Sequence, residues 1–191
     1  MTSTAHMTPN NLDDFLRCRY LLDSYPSSLD PNHDIYEKKE LINLASTLFS
    51  YKECMSDHVF SSPCDTPLED TLYTQPKLYS SDLVACPDII HVTKQGLSVV
   101  IILTSYQPRR SELNHLSMCY TIISFLKLPI VSMQLFCINP YYKKRKDDER
   151  SGALFRRMDV TGTCKSSQKK IKQLCTHIHS KQKQQTPVLD K

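Results

Sequence analysis

Three groups of residues in this chain have types and spacings that do chemistry. The first is acidic: Asp82, Asp88 and Glu112, with Asp88 directly after Pro87. Carboxylates hold hard divalent cations through oxygen, and such cations clamp a phosphate and activate water. The second is Cys175-x-His177-x-His179, with Cys164 upstream. On a helix, Cys175 and His179 share a face and His177 points away. A closed structural zinc site wants four ligands, so the expectation is a buried Cys175 at a polar helix end and no metal. The third group is basic. Lys143-Lys144-Arg145-Lys146 stands beside Tyr141 and Tyr142, and Arg156, Arg157, Lys165, Lys169, Lys170 and Lys172 follow. Such a run suits phosphates or an import receptor, and the tyrosines suit stacking on bases.

The charge distribution strengthens the third signal. The net charge is only +4, but residues 1–142 carry 10 basic and 15 acidic side chains, whereas residues 143–191 carry 14 basic and 5 acidic. The C-terminal quarter therefore has the electrostatics of a segment that faces a polyanion. Asp147, Asp148 and Glu149 partly neutralise the run they follow.

Composition removes several classes. At 191 residues, 40% hydrophobic and 23% charged, the chain is neither disordered throughout nor collagen-like. It has no apolar run of membrane-spanning length. Only three glycines are present, Gly96, Gly152 and Gly162. A dinucleotide fingerprint or phosphate-cradling loop needs more, closely spaced. Eight cysteines include no Cys-x-x-Cys pair, which removes zinc ribbons and thioredoxin-type motifs. The N-terminus lacks the basic and apolar regions of a secretory signal. A nuclear or cytoplasmic location, reduced thiols and no membrane association are the expectations. His33, His58, His91 and His115 are expected to be surface or packed imidazoles.

The elements that must position these residues follow from periodicity. Residues 1–10 read as a disordered lead, 11–180 as one domain and 181–191 as a polar tail. Helices are expected over Leu12–Leu22 and Glu37–Tyr51, the latter with Leu41, Leu44, Ala45 and Leu48 at helical spacing. Pro63, Pro67 and Pro76 mark 52–82 as loop with short extended pieces. Leu83–Val92, broken by Pro87, and Leu97–Thr104 form a hairpin about Thr93–Gly96. The second strand is apolar on both faces and belongs in the sheet centre. A helix over Glu112–Leu126, strands over Ile130–Ile138 and Ala153–Val160, and a basic helix over Ser166–Ser180 complete the order. This is an α/β class chain with a mixed central sheet of about four strands flanked by helices.

The segment Cys86-Pro87-Asp88-Ile89-Ile90 followed by Leu97–Thr104 resembles the core of the PD-(D/E)XK nuclease superfamily. Asn11–Leu22 with Cys18 resembles the opening helix of the RecB-type exonucleases, and Tyr120 stands like the tyrosine of their Gln-x-x-x-Tyr motif. The resemblance implies a restriction-endonuclease-like fold over residues 11–180. It also implies a second acid and a lysine on the strand after the Pro-Asp. Here those positions are Ile101 and Leu103, and the motif glutamine falls at Leu116. Only Asp88 survives, as a vestige, and one carboxylate holds a catalytic Mg²⁺ poorly. The iron–sulfur cluster of the exonucleases is not expected, because only Cys164 and Cys175 follow Cys18 at the C-terminal end.

The function implied is that of a non-catalytic nuclease-fold protein. It binds nucleic acid, DNA or RNA, or acts as a scaffold with a protein partner, in processing, repair, recombination or viral counter-defence. No cofactor is expected. The expected nucleic-acid-binding residues are Lys143, Lys144, Arg145, Lys146, Arg156, Lys165, Lys169, Lys170 and Lys172. Two alternatives stand beside it: a metal-dependent nuclease whose site has migrated to Asp82, Asp88 or Glu112, and a protein–protein adaptor that meets no nucleic acid.

Overall fold

Apolar runs and tight turns build the centre of the molecule. The structure, a computed structural model, describes residues 7–10, 12, 37–80, 83–140 and 154–184, with side chains up to residue 176. Gly96 opens the strand Gly96–Ile102 (β7), whose sequence GLSVVII is buried at every position but Ser98. Ile89–Thr93 (β6) pairs with it antiparallel, Thr93 opposite Gly96. The turn demands glycine: Gly96 has φ +132°, and a Cβ there would lie 2.5 Å from the Pro129 carbonyl oxygen.

Six strands form the main sheet, in the order β1-β3-β6-β7-β8-β9. They are Glu53–Ser56 (β1), Thr71–Thr74 (β3), β6, β7, Ile130–Ile138 (β8) and Phe155–Asp159 (β9). β3 and β6 are antiparallel, as are β6 and β7 and also β8 and β9. β1 runs parallel to β3, and β7 parallel to β8. A second sheet holds Val59–Phe60 (β2), Lys77–Tyr79 (β4) and Val84–Ala85 (β5).

Alternation along the strands divides the core in two. Val99, Ile101 and Leu103 lie in one cluster with Ile90, Leu135 and the helix residues Leu116, Cys119, Ile122 and Ile171. Val100 and Ile102 lie in the other with Leu41, Ile42, Ala45 and Phe136. The first face is thus covered by Arg110–Phe125 (α2) and Thr161–Gln184 (α3), the second by Lys38–Ser46 (α1). Each fully buried aliphatic side chain contributes roughly 1.5–3 kcal/mol. Among the described residues, no helix is long and apolar enough to cross a membrane.

Several expectations need correction. The sheet has six strands and not about four, with three more in the second sheet. Residues 52–82, expected as loop with short extended pieces, contain four short strands, β1 to β4, that pair into both sheets. Leu83–Val92 is interrupted at Pro87 as expected, but its two pieces, β5 and β6, lie in different sheets, with Cys86, Pro87 and Asp88 between them. The helix expected to reach Tyr51 ends at Ser46, and the last helix starts at Thr161 instead of Ser166. That earlier start has a local cause. Asp159 Oδ1 accepts the Thr161 amide at 2.9 Å and the Thr161 hydroxyl at 2.6 Å, satisfying groups that a helix start leaves open. Of the helix expected over Leu12–Leu22, only Leu12 falls among the described residues.

Candidate functional site

Asp88 sits where the chain enters β6. Its amide donates to the Val100 carbonyl at 3.1 Å and its carbonyl accepts from Gln75 at 2.8 Å, so its backbone is fixed from two sides. The residue is 9% exposed. Its Oδ2 accepts the Ile102 amide at 2.6 Å and the Lys38 ammonium at 2.7 Å. Lys38 also donates to the Ile102 carbonyl. The ammonium thus lies between a carboxylate and a carbonyl oxygen, the ligand type a hard cation takes.

The electrostatics follow from that burial. Loss of solvent pushes the Asp88 carboxyl above its usual range, against the pull of the Lys38 charge and the Ile102 amide. His115, on α2, is held down at about 4, first by burial and then by the Lys38 charge, while a hydrogen bond with the Cys86 backbone opposes the fall. The imidazole is neutral at pH 7, and its buried Nε2 has no hydrogen-bond partner among the described residues. The Cys86 thiol is pushed up by lost solvation and then by the Asp88 charge. Cys119 and Cys164 are pushed up by burial, the latter to about 11. None of these three thiols has the lowered pKa of a reactive cysteine.

The positions that the resemblance assigns to a second acid and a lysine are apolar and sealed. Ile101 and Leu103 are each 4% exposed, and Leu116 is 0%. Ile101 shares its cluster with Val99 and Leu135. Glu112 is engaged elsewhere: it caps α2 by accepting the Arg109 amide at 2.7 Å and the Ser111 hydroxyl at 3.2 Å. Asp82 lies outside the described residues. Among those described, no three His, Cys, Asp or Glu side chains are grouped to hold a metal ion. These residues do not fit a two-acid metal centre.

The remaining candidates are dispersed. Cys175 and Cys164 are buried in the core beneath α3, and the side chains of His177 and His179 lie outside the described set. Lys143, Lys144, Arg145 and Lys146 also lie outside it, as do Tyr141 and Tyr142. Arg156 and Arg157 are both exposed, on successive positions of the edge strand β9. The Arg156 guanidinium donates to the Tyr106 carbonyl at 3.4 Å, and that of Arg157 lies 5.3 Å from the centre of the Phe136 ring. Lys165, Lys169, Lys170 and Lys172 are all exposed on α3. Helical spacing sets Lys165, Lys169 and Lys172 on one stripe and turns Lys170 away from it. Lys172 lies 5.0 Å over the Phe125 ring.

Lys38 was not singled out by the sequence, and His115 only as a surface or packed imidazole. A lysine at the start of an amphipathic helix and a histidine on an otherwise buried helix face were the only signals, and both residue types are common there. No protein-family model matches the chain, and neither a curated protein nor a solved structure matches it significantly.

Proposed function

We propose that this chain is a non-catalytic member of the nuclease-fold class that binds nucleic acid through its basic C-terminal quarter. The observation that carries the first half is the state of the Asp88 site. The acid and lysine positions are filled by buried Ile101 and Leu103, and the one remaining carboxylate is neutralised from within by Lys38. The order of elements supports the reading. A Pro-Asp heads β6, an antiparallel apolar strand β7 follows, and α2 comes next and leads to a strand parallel to β7. The second half rests on charge. Lys165, Lys169, Lys170 and Lys172 of α3 and both arginines of β9 are exposed, and the basic run Lys143–Lys146 joins β8 to β9 in sequence.

Two assays test the proposal. Labelled duplex and single-stranded DNA and RNA are titrated at two salt concentrations, and cleavage is measured with Mg²⁺ and with Mn²⁺. The expected result is salt-sensitive binding with weak sequence preference and no cleavage. Affinity on a duplex should fall by about 0.9 log units per log unit of salt for each phosphate neutralised. Changing Lys143, Lys144, Arg145 and Lys146 together to Ala should weaken binding and flatten that slope. Cleavage that disappears in Asp88→Ala overturns the non-catalytic reading. No binding at low salt overturns the nucleic-acid reading and leaves an adaptor.

A further inference from the structure

A cleft of about 180 Å³ opens between α2 and α3, with the buried Leu12 of the N-terminal segment on a third side. Arg110, Leu113 and Asn114 line it from α2, and Ser167, Lys170 and Ile171 from α3. The spacing on each helix places these residues on one face. The composition is divided. Leu113 and Ile171 belong to the apolar core beneath, while Arg110 and Lys170 are exposed at the rim. Neither cation has a carboxylate partner among the described residues. Lys170 is also the α3 lysine that departs from the Lys165–Lys169–Lys172 stripe.

We propose that this cleft is a subsite for one unpaired nucleotide of a single-stranded nucleic acid, the base on the Leu113–Ile171 floor and the phosphate between Arg110 and Lys170. This rests on the nucleic-acid reading above and gives it a location. Charge complementarity selects the ligand. A guanidinium presents a planar fork to phosphate oxygens, and an ammonium adds a point charge. The neighbouring Ser167 hydroxyl supplies a polar group of the kind that binds sugar and phosphate oxygens. The apolar floor selects the strand state, because a base reaches such a surface only when it is unstacked and unpaired.

The test compares three variants with the wild-type chain, using a labelled oligothymidylate at two salt concentrations. Arg110→Glu/Lys170→Glu reverses the cleft charge. Lys165→Glu/Lys169→Glu makes the same charge change on the α3 stripe. Ser167→Phe fills the cleft with no charge change. Circular dichroism confirms that each variant is folded. The cleft reversal should weaken binding at least tenfold more than the stripe reversal. It should also reduce the salt slope by about 0.7 for each single-strand phosphate that is no longer neutralised. Ser167→Phe should weaken binding several-fold with the slope kept. Equal losses in the two reversals, or no loss in Ser167→Phe, overturn the subsite while leaving nucleic-acid binding intact. If the wild-type chain binds no oligonucleotide, the subsite falls with the nucleic-acid reading. Thermal protection by inorganic pyrophosphate that is lost only in the cleft reversal would in that case show that the two cations bind a free anion instead.

Discussion

The ammonium of Lys38 lies 2.7 Å from the Asp88 carboxylate, and the two come from elements that only the finished fold brings together. Lys38 opens α1, on one face of the sheet, and Asp88 precedes β6. Their ion pair ties α1 to the end of the β6–β7 ladder, where Asp88 also holds the Ile102 amide.

Lys38→Met should therefore destabilise the fold, because it leaves a buried carboxylate with only an amide for company. The loss should be about 1–3 kcal/mol, less than for a fully buried pair, because the Lys38 side chain is 43% exposed and partly screened. Urea denaturation at pH 7 measures it. Lys38→Met/Asp88→Asn should recover most of the loss. A double variant as unstable as the single one would show that packing of the lysine stem, and not charge, was removed.

His115 gives stability a pH dependence of definite sign. Its folded pKa of about 4 lies below the unfolded value of 6.5, so the unfolded chain takes up the proton first. Its contribution is complete above pH 6.5 and is lost as pH falls toward 4, by about 3 kcal/mol. Asp88, whose pKa is raised, acts in the opposite sense and returns part of that loss as it protonates in the folded state. His115→Leu should flatten the profile between pH 7 and pH 4.5 in urea melts. A wild-type-minus-variant difference that stays constant with pH refutes this account.

Ile101→Glu should unfold the chain and should not create a metal-binding centre beside Asp88. The side chain would enter a sealed apolar cluster, where a charge without a partner costs several kcal/mol. Thermal unfolding by circular dichroism should show a large drop or no cooperative transition. An unchanged melting curve would mean that position 101 reaches solvent.

Gly96→Ala should destabilise by about 1–3 kcal/mol. The alanine Cβ meets the Pro129 carbonyl at 2.5 Å and forces a strained φ, and that same carbonyl accepts the Leu97 amide at 2.8 Å. The loss should appear in the midpoint of a urea melt with little change in its slope. A midpoint equal to that of the wild-type chain refutes it.

Local pattern made part of this fold legible in the sequence. β7 announces itself by LSVVII, and the turn before it by Gly96. α2 and β8 follow from the apolar spacing along Glu112–Leu126 and Ile130–Ile138. β1 to β4 showed only as short extended pieces without bounds, because they are two to four residues long and lie among prolines, serines and aspartates. β1 and β2 pair in parallel with strands distant in sequence, so no turn signal marks them. At the site, Asp88 was visible through its Pro-Asp context. Lys38 and His115 were not legible as its neighbours, since proximity across α1, β6 and α2 leaves no trace in spacing.

The outer strand β9 has a consequence for the protein's own solubility. It ends the six-stranded sheet, and an edge strand with free backbone groups invites a strand from another molecule. Arg156 and Arg157 stand side by side on it, both exposed and projecting to opposite faces of the sheet. A second chain docking along this edge in the manner of a growing fibril would have to desolvate a cation on each face. Among the described residues these two cations are what such a strand would meet at this edge, and replacing both with valine should raise light scattering at high concentration relative to the wild-type chain.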